Sequence, residues 1–107
     1  MPFLHVSITR FADKNFPGFV ECQFLDANGV TRSFEEKIPV VTTEDLWIDS
    51  EYPQPGFVEC AVVNRREDES QRIFVVLGAL SLDAEDIFEV FAEQLIDHVE
   101  GFSEKKA

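Results

Sequence analysis

Few residues in this chain are of a type that does chemistry, and their spacing limits what that chemistry is. Cys22 and Cys60 close two identical hexapeptides, Pro17-Gly18-Phe19-Val20-Glu21-Cys22 and Pro55-Gly56-Phe57-Val58-Glu59-Cys60. A redox pair uses a Cys-x-x-Cys spacing or a basic neighbour that lowers a thiol pKa, but each cysteine here follows a glutamate, which raises it. If the strands that carry them are neighbours, the sulfurs lie close enough to bridge; otherwise they are buried, inert thiols of a reducing compartment. Neither His5 nor His98 has a second His or Cys at metal-ligand spacing, so no metal is expected. The adjacent acids Glu35-Glu36 and Glu44-Asp45 have the chemistry for proton transfer or Mg²⁺, yet neighbours on a strand point to opposite faces, and a solvated surface role is expected. Gly29, Gly78 and Gly101 read as turn or cap glycines. No phosphate loop, nucleophile elbow or Ser/His/Asp order is present, and no catalytic residue or cofactor is expected.

Charge says more than any motif. A formal net charge of −12 with a pI near 4.4 argues against nucleic acid, whose phosphates demand a lysine- and arginine-rich surface. It favours either simple solubility or a basic protein partner. No Lys or Arg occurs between Ile73 and Glu104. Two recognition surfaces stand out. One is an acidic rail of Asp86, Glu89, Glu93, Asp97 and Glu100, whose helical spacing sets like charges against each other and invites a basic partner. The other is Trp47 with Tyr52, aromatic residues in a Pro-bounded acidic connection of the kind that carries function; the plainer role for Trp47 is to close one end of the core.

The elements that must position these residues follow from periodicity. A chain of 107 residues with 45% hydrophobic residues and eleven Phe is expected to fold as a single domain, the Phe rings filling its core. Phe3 to Ile8 alternates apolar with polar and predicts a strand. Val20, Cys22 and Phe24 share one face of a second strand; Asp26-Ala-Asn-Gly29 supplies a tight turn, and Val30 to Ile38 returns as its partner. Thr42 or Thr43 can cap a short helical turn through Glu44-Asp-Leu-Trp-Ile. Tyr52-Pro-Gln-Pro-Gly56 reads as rigid loop before a second hairpin of Phe57 to Asn64 and Arg72 to Leu77, with Arg65 to Gln71 between them. Ile87, Phe88, Phe91, Ala92, Leu95, Val99 and Phe102 fall on one side of a helical wheel, which predicts an amphipathic helix from about 83 to about 100, capped by Ser81 or Asp83 and stopped by Gly101. A strand through Ile87 to Phe91 is the competing reading. The expected fold is therefore α+β: a curled antiparallel sheet or small barrel of about five strands built from two similar hairpins, with the C-terminal helix on its open face.

The pattern Gly18-Phe-Val-Glu-Cys, Asp26-Ala-Asn-Gly29, Glu36-Lys-Ile-Pro-Val-Val41, Tyr52-Pro-Gln-Pro-Gly56 and Cys60 resembles a small uncharacterised bacterial protein family over about half of the chain. That resemblance implies a bacterial cytoplasmic origin and no particular activity. In size, acidity and lack of catalytic groups the chain is similar in character to immunity proteins that neutralise toxic nucleases, including those of contact-dependent inhibition systems. No apolar run reaches the ~18–20 residues of a membrane span and no signal peptide opens the chain, so a cytoplasmic location is expected. Three functions remain open: a non-catalytic inhibitor of a basic toxin, a small enzyme with carboxylates in a barrel mouth, and a structural homodimer.

Overall fold

A computed structural model describes residues 2–66, 68–77 and 87–97. Its elements in chain order are β1 (Phe3–Asp13), β2 (Phe19–Leu25), β3 (Thr31–Lys37), a one-turn helix α1 (Ile38–Val41), β4 (Gln54–Arg65), β5 (Arg72–Leu77), β6 (Phe88–Phe91), a 3-10 turn (Ala92–Gln94) and β7 (Leu95–Ile96). The strands form one antiparallel sheet in the order β3-β2-β1-β4-β5-β6, and β7 pairs with β1 at Phe3 and Leu4. That last pairing brings the chain back onto its first strand and makes the sheet a curled half-barrel.

Both hairpins form where alternation places them. Val20, Cys22 and Phe24 are buried on β2, as are Val58 and Cys60 on β4 and Ile73, Val75 and Leu77 on β5, so the inward faces of successive strands meet in one core with Leu4 and Ile8 of β1. Period-two burial is what a sheet with one wet face requires. At the first turn the Asp26 carboxylate accepts hydrogen bonds from the backbone N–H groups of Asn28 and Val30, both at 2.9 Å, while Gly29 takes φ +83°. A side-chain oxygen thereby satisfies backbone donors that the reversal leaves over.

The two hexapeptides do not start alike. Pro17-Gly18 lies in the β1–β2 connection, where Gly18 adopts φ +94°, whereas Pro55-Gly56 lies within β4 and Gly56 pairs with Val6. A Cβ at Gly56 would stand 2.8 Å from the Ile8 side chain, so the second glycine serves close packing and the first serves a turn. Both copies pair with β1, from opposite sides. Cys22 stands opposite Ile8, while the Cys60 N–H donates to the Pro2 carbonyl at the far end of the strand. At about 3.3 Å per residue the cysteines are roughly 20 Å apart along β1 and two strands apart across it, too far to bridge.

The α+β expectation is overturned at the C-terminal segment. No amphipathic helix runs through it: residues 88–91 are strand β6, followed by a single 3-10 turn and the short β7. The physical reason is the edge of β5. Its outer backbone groups need partners, and β6 supplies them through Ile73↔Val90, Phe74↔Glu89 and Val75↔Phe88. The apolar spacing that suits a helix also suits a strand buried on both faces, and Phe88, Glu89 and Val90 are all buried in succession. Phe91 and Leu95, expected in the core of the helix, are only partly buried. Positions 83–86 and 98–101 of the expected helix, with its caps, lie outside the described residues. The short helix is also displaced, forming at Ile38–Val41 rather than from Glu44, because Ile38 and Val41 have core to enter.

Candidate partner-binding site

The expected acidic rail is not assembled. Glu89 sits on β6 at 8% exposure, with its carboxylate bonded to the Arg66 guanidinium and 3.7 Å from Arg72 Nη1, and Asn28 Nδ2 donates to Oε1 at 3.4 Å. Arg66 holds the Glu89 carboxyl below the usual glutamate range, against the effect of burial. Glu93 is exposed on the 3-10 turn and Asp97 is exposed after β7, while Asp86 and Glu100 lie outside the described residues. Among the described residues no rail along one helix face forms. Glu89, one of its five members, is neutralised within the fold.

Around Glu89 the structure builds a network instead. Arg32 Nε donates to Asp26 Oδ2 at 2.9 Å, and Arg72 Nη1 donates to Asn28 Oδ1 at 3.1 Å. The Ala27 N–H donates to the Glu89 carbonyl at 2.8 Å, joining the β2–β3 turn to β6. Burial alone would raise the Asp26 carboxyl, but hydrogen bonds from Val30, Arg32 and Asn28 outweigh it and hold it low. Two acids from distant segments thus belong to one network, linked through Asn28. Asp26 is held ionised by the Val30 N–H and Arg32, and Glu89 by Arg66, so neither is poised to donate a proton at neutral pH.

The cysteines are equally quiet. Burial, followed by the charges of Glu36 and Glu21, pushes the Cys22 thiol up to about 12; burial and then Glu59 push Cys60 up to about 11. Both are buried and unbridged, and a protonated thiol is neither nucleophile nor metal ligand. His5 packs its ring 4.9 Å from Phe57, and His98 lies outside the described residues. Among the described residues no group of three or more His, Cys, Asp or Glu converges to hold a metal ion.

Trp47 and Tyr52 are brought together, in different roles. Tyr52 packs against the core and its hydroxyl donates to the Trp47 carbonyl at 2.6 Å. Burial raises the Tyr52 phenol, which keeps that donor protonated. Ser50 closes the same loop, its Oγ accepting from the Trp47 N–H at 2.9 Å and its own N–H donating to the Trp47 carbonyl at 3.1 Å. Leu46 is buried just before, so the backbone on both sides of Trp47 is pinned. The indole itself stays outside at 62% exposure, with Ile48 at 78%. Its only described ring partner is Phe11, 6.4 Å away and stacked at 30°.

Trp47 borders an open groove of about 810 Å³. One wall is the β1–β2 connection with Lys14, Phe16 and Pro17; the other is α1 and the loop after it, with Pro39, Glu44 and Asp45. Gly18 stitches the walls together. Its carbonyl accepts the Ile38 N–H at 2.9 Å, and a Cβ there would stand 2.8 Å from Ile38 Cδ1. Phe16 is 97% exposed on the rim, contrary to the expectation that phenylalanines fill the core. Sequence reading missed Phe16, Ile48 and Phe11. The available signal was a large aromatic side chain inside a run of turn formers, Lys14-Asn-Phe-Pro-Gly, where core packing has no claim on it. Comparison of the chain with protein-family models, with curated proteins and with solved structures gives no match.

Proposed function

We propose that this chain is a non-catalytic binding protein that engages a basic macromolecule through the Trp47 groove, in the concrete form of an immunity-type inhibitor of a basic toxin or nuclease. The observation that carries this reading is the display of Trp47 and Ile48 in water on a pinned loop, with Phe16 exposed across the groove. Large apolar side chains held outward on a pinned loop are typical anchors, because little side-chain or loop entropy is lost when a partner covers them. Around them Glu44, Asp45, Asp49 and Glu51 are all exposed, and a net charge of −12 steers a basic partner toward them. The unbridged cysteines fit a reducing cytoplasm, and no helix among the described residues is long and apolar enough to cross a membrane.

The test is capture from a bacterial lysate on immobilised protein, comparing wild type with the double variant Trp47→Ser, Ile48→Ser. Wild type retains a basic protein, with an association rate that falls as salt rises. The double variant keeps its circular dichroism and melting temperature and loses that protein. Equal retention by both would remove the groove as the binding site, and retention of nothing by wild type would remove the binding reading.

A further inference from the structure

Resting on the reading above, we propose that the groove takes an arginine side chain of the partner, its guanidinium laid against the Trp47 ring and its N–H groups directed to Glu44 and Asp45. The chain itself shows the preference. Three arginines each lie over a phenylalanine ring beside a carboxylate: Arg32 over Phe88 at 5.3 Å, bonded to Asp26; Arg66 over Phe74 at 5.6 Å, bonded to Glu89; and Arg72 over Phe91 at 5.4 Å, 3.7 Å from Glu89. A guanidinium suits this place because its flat face stacks on a ring while its edge forks to oxygens.

The Trp47 groove presents the same two ingredients. The indole is the strongest ring for a cation, most of its surface is open, and its loop is held by Tyr52 and Ser50. Glu44 and Asp45 line the groove beside it. Among the described residues neither acid forms an ion pair, whereas Arg10, Arg32, Arg66 and Arg72 are all engaged with other carboxylates. Lys14, on the facing wall, pairs with neither acid and lacks a planar head. Among the described residues Lys14 is the only cation lining the groove, and the cation assigned to the Trp47 ring and the two acids is the partner's.

Trp47 is the only tryptophan of the chain, so its fluorescence reports occupancy directly. Wild-type protein is titrated with a short peptide carrying one arginine between two leucines, and with the same peptide carrying citrulline, which keeps the shape and removes the charge. The arginine peptide is expected to change the emission saturably and to bind about tenfold more tightly than the citrulline peptide, the order expected for a partly desolvated cation–π and carboxylate contact. In the double variant Glu44→Gln, Asp45→Asn that difference shrinks to the part the Trp47 ring supplies while the citrulline affinity is kept, and Lys14→Gln tightens the arginine peptide alone. Equal affinity for the two peptides, no saturable change with either, or an unchanged preference in the Gln/Asn variant would overturn the arginine slot. Loss of partner capture in the Trp47 and Ile48 variant would still stand in those cases, so the two readings fail separately.

Discussion

At one end of the β2–β3 hairpin, where its turn meets β6, charged side chains are drawn into the fold: Asp26 and Glu89 are buried and Arg32, Arg66 and Arg72 close over them. At the other end, where Gly18 and α1 enter and leave the hairpin, the large apolar side chains Phe16, Trp47 and Ile48 are turned out. Burying a charge is tolerable only with a partner and hydrogen bonds, and the first end supplies both. Exposing three large apolar groups close together gains nothing for the isolated chain. The comparison teaches that Glu89, an acid the sequence offers to a partner, holds the molecule together, and that Phe16, an aromatic residue the sequence offers to the core, stands in water.

The largest effect that separates the two ends should come from Phe88. It is buried, packs edge-on to Phe24 at 5.5 Å and lies under Arg32. Phe88→Ala should cost about 3–5 kcal/mol and lower the melting temperature by more than about 10 °C. An unchanged melt would show that the β6 end is not part of the cooperative fold.

Next comes pH. Asp26 and Glu89 are both held below their ordinary values in the folded state, so the unfolded chain binds protons first as pH falls. The stability they contribute is fully present above the unfolded carboxylate values and declines as pH drops below about 4 toward the folded values. Glu89→Gln should be less stable than wild type at neutral pH and lose less on acidification, read as urea midpoints at pH 7 and pH 3. Parallel midpoints for the two proteins would mean that the arginine network contributes nothing through Glu89.

The smallest effect on stability belongs to Trp47. Trp47→Ala should shift stability by no more than about 0.5 kcal/mol, because an exposed side chain leaves little behind when removed. A large drop in the melting temperature would make Trp47 a core residue and dissolve the contrast between the two ends.

What the sequence determined by itself was local. The turn Asp26-Ala-Asn-Gly29 and the alternation of Val20, Cys22 and Phe24 specify the first hairpin within a few residues, because side-chain capping and a glycine at positive φ act over four positions. The inward placement of both cysteines was legible for the same reason. Trp47 and Tyr52 were legible as a pair, though not that one pins the other. Tertiary structure decided the rest. Residues 88–91 satisfy helical and strand periodicity alike, and only the open edge of β5 selects the strand. The charge of Glu89 is spent on Arg66, 23 residues away, and its other oxygen on Asn28, 61 residues away; no local pattern reports a partner at that distance. Phe16 and Phe88 are the same residue type, and which of them meets a core depends on what the curl of the sheet places beside each, a property of the assembled strands and not of either segment.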